Sequence, residues 1–253
     1  MPSPTFVVTT SQKADTALKR EALTWAERLG VEFAPRRGRS VEAVCGAAGV
    51  DAALTVTHER VGLVMSDGSD EYFFHPNMAR TRLHNIDAGM GDPMVTAMEL
   101  AAGDSMLDCT LGRASDAVVA ARVVGGSGRV EGYEANALVA ALTIHGLASY
   151  VIRGRGIQEA MRRVRAHHGD CEQVLPTLDT DAFDVVYFDP FFDQTVEQSQ
   201  AMASLRRLGR HRELPLSVFD EALRVARRCV VIKQRRDGPF ADHPDVVRIV
   251  GGG

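Results

Sequence analysis

The stretch VVYFDPFFDQ, residues 185–194, joins an apolar run to a carboxylate, a proline and two phenylalanines. The apolar run predicts a β-strand that is buried on both faces, because short uninterrupted apolar segments are typical of such strands. Asp189 and Pro190 end this strand, since proline lacks the N–H group that a strand ladder requires. Phe191 and Phe192 lie past the strand, and we expect their rings to face a ligand rather than the core.

Around this stretch, predicted strands and helices alternate on short connections. The strands are SMLDCT, GRVEGYE, VRAHHGD, FDVVYFD and CVVIKQ, and the helices are ASDAVVAARVVG, ANALVAALTIHGLA and LSVFDEALRVARR. This alternation indicates a mostly parallel, doubly wound sheet with helices on both faces, which is an α/β Rossmann-like fold. Ligands bind such sheets outside the carboxyl ends of the strands.

Residues 1–90 have a different pattern, which predicts a small N-terminal α+β domain. TFVVTT predicts a strand, and ADTALKREALTWAERLG predicts a helix that ends at Gly30. AALTVTHERVGLVMSDGSDEYFFHP predicts consecutive strands joined by turns. The segment FHPNMARTRLHNIDAGMGDPM predicts a loop and a short helix that lead into the Rossmann-like domain, which we place at residues 91–253.

The composition is that of a soluble globular protein, with 45% hydrophobic residues, 25% charged residues and a net charge of -4. This charge excludes a globally basic nucleic-acid binder, and no apolar run is long enough to cross a bilayer. The N-terminal sequence lacks the features of a signal peptide, so we expect a cytoplasmic protein. The four cysteines form no C-x-x-C pair, so we expect no metal site and no disulfide framework.

Acidic residues follow four successive strands of the predicted sheet. Asp108 and Gly112 frame the turn after the first strand, and Asp116 lies in the first turn of the next helix. The later strand ends carry Glu134, Asp170 and Asp189. One acidic residue in such a position is usually a helix N-cap. Four in order instead indicate a ligand that carries ribose and adenine without phosphates.

S-adenosylmethionine (SAM) fits these strand ends, because it combines an adenosine, a free amino acid portion and a cationic sulfonium. NAD fits less well, because no glycine-rich turn offers N–H groups to a pyrophosphate. Asp189, Pro190 and Phe192 are therefore predicted to be catalytic, with the strand end accepting hydrogen bonds from an exocyclic amine. Phe191 is predicted to stack on a planar base. Positioning supplies most of the catalysis in an in-line methyl transfer.

Two arginine-rich segments are candidates for contact with phosphate groups, although exposed arginines more often form a solvated surface. The first segment carries five arginines between residues 153 and 165, and the second contains Arg206 and Arg207. The sequence patterns alone leave both interpretations open.

The motifs DCTLGRASDA, VEGYE, HHGDC, VVYFDPFF and CVVIK, taken in this order, resemble the bacterial RsmJ (YhiQ) methyltransferase family. The resemblance covers roughly residues 75–250. It implies a Rossmann-like SAM-dependent enzyme with a small N-terminal domain. It further implies methylation of the exocyclic N2 of a guanine in small-subunit ribosomal RNA.

The resemblance also implies roles for individual residues. The cofactor contacts that it implies are Ser115, Asp116, Glu134, Ala135, Asp170, Cys171 and Asp189. Arg206 and Arg207 match a basic region of the family, which favours contact with RNA. Arg80 and Arg82 match an arginine-bearing stretch, and we expect them to meet RNA phosphate or the cofactor carboxylate.

The chain departs from the family pattern at two places. Ala114 replaces a second glycine in the first turn, and Phe191-Phe192-Asp193 replaces Met-Phe-Pro after the Asp-Pro pair. Three hypotheses therefore stand. The first is an N-methyltransferase of structured RNA, the second is a methyltransferase of a small molecule or protein, and the third is a non-catalytic module that retains the fold.

Overall fold

Residues 5–152, 154, 156–190 and 215–234 are described by the structure, a computed structural model of the chain. Among these residues one compact unit ends at Phe74 and a second begins at His75. The boundary that the sequence suggested, at residue 90, lies inside the second unit. No helix among the described residues is long and apolar enough to cross a membrane.

The first unit contains a four-stranded sheet and two helices. Its elements in chain order are β1 (Phe6–Thr10), α1 (Thr16–Leu29), α2 (Val41–Ala48), β2 (Ala52–Val56), β3 (Val61–Met65) and β4 (Glu71–Phe73). The strand order is β1-β2-β3-β4, with β1 and β2 parallel and the other pairs antiparallel. The predicted strands and α1 are confirmed, whereas α2 was not predicted.

The ends of α1 show why the sequence signals there were reliable. The Asp15 side chain accepts a hydrogen bond from the N–H of Leu18 and caps the helix N-terminus. Gly30 ends the helix in the left-handed conformation, with a φ of 66°, which glycine adopts without steric cost.

The second unit begins with two helices and continues as a doubly wound sheet. Its elements in chain order are α3 (Asn77–Asp87), α4 (Pro93–Met98), β5 (Ser105–Asp108), α5 (Ser115–Val124), β6 (Arg129–Glu134), α6 (Ala137–Ser149), α7 (Ile157–Arg163), β7 (Val164–His168), α8 (Cys171–Val174), β8 (Phe183–Phe188), α9 (Leu216–Val225) and β9 (Ala226–Ile232). The strand order is β7-β6-β5-β8-β9, and every pair is parallel. The predicted α/β Rossmann-like fold is confirmed.

The order of the strands places a topological switch point between β5 and β8. From β5 the chain proceeds outward to β6 and β7, and it then returns to form β8 on the other side of β5. The core of the sheet is fully buried here, with Leu107, Val186 and Phe188 each 0% exposed. Open α/β sheets bind ligands in the crevice outside the carboxyl ends of the strands at such a point.

The end of α9 differs from the prediction. The helical pattern LSVFDEALRVARR predicted a helix through residue 228, but α9 ends at Val225 and β9 begins at Ala226. Arg227 donates to Asp184 Oδ1 at 2.6 Å and Arg228 donates to Asp104 Oδ2 at 2.7 Å. Pairing of this segment with β8, together with these two ion pairs, outweighs its local helical preference.

Candidate active site

The acidic residues predicted at the strand ends lie at one edge of the parallel sheet. Asp108 is the last residue of β5 and Glu134 is the last residue of β6. Asp189 follows β8 directly, and Asp170 follows β7 after one glycine. Because neighbouring strands are parallel, their carboxyl ends face the same side of the fold. The structure therefore brings these four carboxyl groups to the carboxyl edge of the sheet, with Asp108 and Asp189 at the switch point itself.

Asp108 is the most deeply buried of these groups, with only 1% of its surface exposed. Its Oδ1 accepts a hydrogen bond from the N–H of Thr110 at 3.0 Å. Burial raises the pKa of Asp108 well above its ordinary value, and the charges of Asp116, Asp189 and Glu134 raise it further. A cationic group placed at this edge would favour the ionised form of Asp108.

The turn between β5 and α5 is closed by Gly112 and Ala114. The N–H of Gly112 donates to Glu134 Oε2 at 3.0 Å, and its carbonyl accepts from Thr143 Oγ1 at 2.6 Å. Ala114 has a φ of 59° and its N–H donates to the Leu111 carbonyl at 2.6 Å. An alanine in this left-handed conformation costs roughly 1–2 kcal/mol relative to glycine. The turn forms in spite of that cost, so the replacement of the family glycine has not removed it.

Glu134 connects this turn to the start of α6. Its Oε1 accepts from the N–H of Asn136 at 2.8 Å, while Oε2 accepts from Gly112. Burial raises the pKa of Glu134, and backbone hydrogen bonds from Asn136, Gly112 and Ala135, together with the charge of His168, oppose that rise. A carboxylate has about four lone-pair sites, so Glu134 can still accept a hydrogen bond from a ligand hydroxyl. Ala135 lies next to it, between β6 and α6.

Asp116, in the first turn of α5, is held by a network that the sequence did not reveal. It accepts hydrogen bonds from the Arg82 guanidinium and, at 3.0 Å, from the Tyr187 hydroxyl. Arg82 also makes a two-point contact with Asp92, from Nε to Oδ2 at 2.7 Å and from Nη2 to Oδ1 at 2.8 Å. Asp92 in turn caps α4 by accepting from the N–H of Met94 and Val95. Asp116 is thus fixed on two sides, next to Ser115.

The charges in this network support one another. Burial alone would lower the pKa of Arg82, but its hydrogen bonds to Asp92 and the charge of Asp116 raise it above the ordinary value. Burial would raise the pKa of Asp92, yet the Arg82 contact and two backbone N–H groups hold it below its ordinary value. The Arg82 guanidinium is therefore engaged by two carboxylates, a geometry that does not favour the expected contact with RNA phosphate.

Asp189 lies between β5 and β9. Its N–H donates to Thr110 Oγ1 at 2.6 Å, and its Oδ2 accepts from Lys233 Nζ at 2.7 Å. Burial raises the pKa of Asp189, and the charge of Lys233 opposes that rise. Pro190 follows and is half-buried. Sequence reasoning missed Thr110 and Lys233, because nothing in the sequence showed that these residues would neighbour Asp189.

The remaining predicted site residues have varied positions. Asp170 caps α8, and its Oδ1 accepts from the N–H of Glu172 at 3.1 Å. Cys171 is buried at the start of that helix. Arg80 is exposed on α3. The other four predicted residues lie outside the described residues, and they are Phe191, Phe192, Arg206 and Arg207.

The first arginine-rich segment is engaged within the protein wherever it is described. Arg162 donates to the carbonyls of Leu147 and Tyr150 near the end of α6. Arg163 pairs with Glu159 at 3.6 Å, and Arg165 pairs with Glu131 at 3.3 Å. These contacts favour the solvated-surface interpretation over phosphate binding for this segment. Among the described residues, no group of three or more potential metal-ligating side chains was found.

Comparison with known proteins finds similarity over most of the chain. A protein-family model described as "Putative SAM-dependent methyltransferase" matches residues 45–249. The "Uncharacterized protein YpiP" of Bacillus subtilis is 38% identical over 233 residues, which span 92% of this chain and 90% of that protein.

Two more distant proteins are also similar. The "Ribosomal RNA small subunit methyltransferase J" of Hydrogenovibrio crunogenus is 29% identical over 156 residues, covering 60% of this chain and 55% of that protein. A SAM-dependent methyltransferase from Neisseria gonorrhoeae shares the fold, with a TM-score of 0.58 and 18% identity over 92% of this chain and 86% of its own.

Proposed function

The chain belongs to the family of SAM-dependent methyltransferases, and on that premise we propose that it methylates an exocyclic amine of a guanine in small-subunit ribosomal RNA. Membership makes the chain a methyltransferase and SAM its cofactor. The choice of acceptor is the proposed part. The observation that carries it is the Asp189-Pro190 pair at the switch point, beside the acidic ends of β5 and β6.

The side chains at this edge fit the chemical groups of SAM. Glu134 keeps lone pairs for ribose hydroxyls, as acidic residues after a second strand commonly do. A cationic ligand would favour the charged form of Asp108, which burial and the neighbouring carboxylates disfavour in its absence. Asp170 and Cys171 follow β7, where we propose that they meet the adenine. When bound, SAM supplies a methyl group on a sulfonium sulfur, which leaves as a neutral thioether.

The proposed work of the protein in the reaction is to hold the acceptor amine. Thr110 accepts from the Asp189 backbone N–H, and Lys233 donates to the Asp189 carboxylate, which retains lone pairs that can accept N–H groups of an amine. An amine held in this way directs its own lone pair to the reacting carbon. Pro190 limits the backbone there, and Phe191 and Phe192 are proposed to stack on the base. The amine can lose its proton after transfer, so positioning is the main requirement.

Two facts support ribosomal RNA as the acceptor. The similar protein from Hydrogenovibrio crunogenus is named as a ribosomal RNA methyltransferase, and the region of similarity spans 156 residues. Arg206 and Arg207 add positive charge shortly after the Asp-Pro pair in the sequence. We propose that these two arginines contact RNA phosphates, and that exposed Arg80 also does so.

Replacing Glu134 with glutamine is expected to raise the Kd for S-adenosylhomocysteine by about 10–100-fold, because charge-assisted hydrogen bonds to ribose contribute roughly 1.5–3 kcal/mol. The side-chain NH2 group of the glutamine would also face the N–H of Gly112 or of Asn136, so that two hydrogen-bond donors would oppose each other. Isothermal titration calorimetry measures the change. Glu131→Gln is the matched control, since Glu131 lies on the same strand and pairs with Arg165 instead. Equal affinities in the two variants would contradict the ribose role.

The proposed acceptor is tested by transfer of labelled methyl from SAM to ribosomal particles that lack endogenous modification. Total protein and small metabolites serve as parallel acceptors. We expect label in small-subunit RNA, with a rate that falls steeply as salt concentration rises. Charge reversal of Arg206 and Arg207 is expected to abolish that label. Label in protein or in metabolites, or label that persists after charge reversal, would contradict the RNA proposal.

A further inference from the structure

Lys233 lies directly after β9 and is held against the end of β8. Its N–H donates to the Phe188 carbonyl at 2.8 Å, which continues the pairing of Phe188 with Ile232. Its Nζ donates to Asp189 Oδ2 at 2.7 Å. The backbone hydrogen bond fixes the Cα of Lys233 beside Asp189, so the ion pair follows from the register of the sheet.

Asp189 needs a cation because its other neighbours disfavour its charge. The charge of Asp116 acts together with burial against the ionisation of Asp189. Arg82 is the other cation that acts on Asp189, but its guanidinium is bonded to Asp92 and Asp116. Among the residues that the structure describes, Lys233 is therefore the cation that contacts Asp189 directly.

We propose that Lys233 is a positioning residue for methyl transfer, which keeps the Asp189 carboxylate charged and oriented so that it can hold the acceptor amine. The inference rests on the proposed function, since it concerns the same carboxylate. Without the ammonium group, Asp189 would take up a proton more readily and would then present a donor where the amine also offers donors. The Asp189 carboxylate would also be free to rotate, because Lys233 would no longer hold its Oδ2 atom.

The ion pair between Lys233 and Asp189 is expected to contribute little to the stability of the fold. Lys233 has 61% of its side chain exposed and Asp189 has 36%. Exposed pairs contribute about 0–1 kcal/mol to stability, so removal of Lys233 is expected to leave folding almost unchanged. A loss of turnover without a loss of stability would thus separate a positioning role from a structural one.

The chain offers a matched control on the same two strands. Arg227 of β9 pairs with Asp184 of β8 at 2.6 Å, and its side chain is 57% exposed. This pair lies at the opposite end of both strands from Lys233 and Asp189. Arg227→Met therefore removes a β8–β9 ion pair without touching the carboxyl edge of the sheet.

The kinetic test compares Lys233→Met, Lys233→Arg and Arg227→Met over a range of pH. For Lys233→Met we expect kcat near pH 7 to fall about tenfold and the acid limb of the pH profile to move to higher pH, because less Asp189 is ionised at each pH. The KM for SAM should stay within about twofold of that of the unmodified protein. Lys233→Arg should restore most of kcat. An unchanged pH profile in Lys233→Met, or equal losses in Arg227→Met, would overturn the inference.

A second readout does not depend on any acceptor. The carboxyl carbon of Asp189 is followed by NMR in protein labelled at aspartate, and its signal is assigned by its loss in Asp189→Asn. We expect its titration midpoint to rise in Lys233→Met and to stay unchanged in Arg227→Met. An unchanged midpoint in Lys233→Met would overturn the inference even if RNA is methylated. A raised midpoint with no label in RNA would uphold the role of Lys233 and reject only the RNA acceptor.

Discussion

Replacing Asp189 with alanine is expected to lower kcat for methyl transfer by about 10²–10³-fold, because the acceptor amine would lose the group that orients it. Thr110 holds the backbone N–H of Asp189 and Lys233 holds its carboxylate, so the unmodified enzyme has this orientation before the acceptor arrives. Alanine removes the carboxylate oxygens that would accept hydrogen bonds from the amine, and it leaves β8 intact. Single-turnover measurement with saturating cofactor reports the change without a contribution from product release.

The control for this prediction is Asp220→Ala, which removes an exposed carboxylate on α9. We expect it to leave kcat within about twofold of the unmodified value, as distant surface substitutions usually do. Cofactor affinity is measured alongside, to separate loss of binding from loss of turnover. Full turnover of Asp189→Ala, with unchanged cofactor affinity, would show that Asp189 does not hold the amine.

Replacing Arg82 with methionine is expected to lower the free energy of unfolding by about 3–5 kcal/mol, because it leaves two partly or fully buried carboxylates without their cation. The side chains of Asp92 and Asp116 are only 4% and 16% exposed. Arg82 lowers the pKa of Asp92, so this stabilisation is present above the unfolded pKa of Asp92 and is lost as pH falls through the folded value. The destabilisation should therefore be larger at neutral pH than in acid.

Arg80 provides the matched control for this prediction, since it lies two residues earlier on the same helix and is exposed. Arg80→Met is expected to change the free energy of unfolding by no more than about 0.5 kcal/mol. Urea unfolding at two pH values measures both variants. Equal stability of Arg82→Met and Arg80→Met would mean that the Arg82 network does not stabilise the start of α5.

Much of the fold could be predicted because local signals and tertiary structure agree. β5, α5, β6, α6 and β8 each have an apolar pattern of the right period, bounded by turn residues. The prediction for the end of α9 was wrong because residues 226–228 continue the helical pattern in the sequence but belong to β9, which pairs with β8 in the fold. Helix α2 has only eight residues and was not predicted, since so short a segment carries little periodic signal.

The candidate site was predictable only in its acidic half. Carboxylates at the ends of parallel strands must lie at one edge, so Asp108, Glu134 and Asp189 could be placed together from the sequence. The cations that pair with the acidic residues could not be predicted from the sequence. Arg82 lies 34 residues before Asp116, and Lys233 lies 44 residues after Asp189. Those pairings depend on helix packing and sheet register, which a single sequence does not specify.

A crystal structure of the protein with S-adenosylhomocysteine would show whether the carboxyl edge of the sheet binds the cofactor. We expect ribose hydroxyls within hydrogen-bond distance of Glu134, the adenine beside Asp170 and the sulfur facing Asp189. S-adenosylhomocysteine bound away from the carboxyl ends of β5, β6 and β8 would contradict that expectation. The acidic strand ends would then serve the fold and not the cofactor.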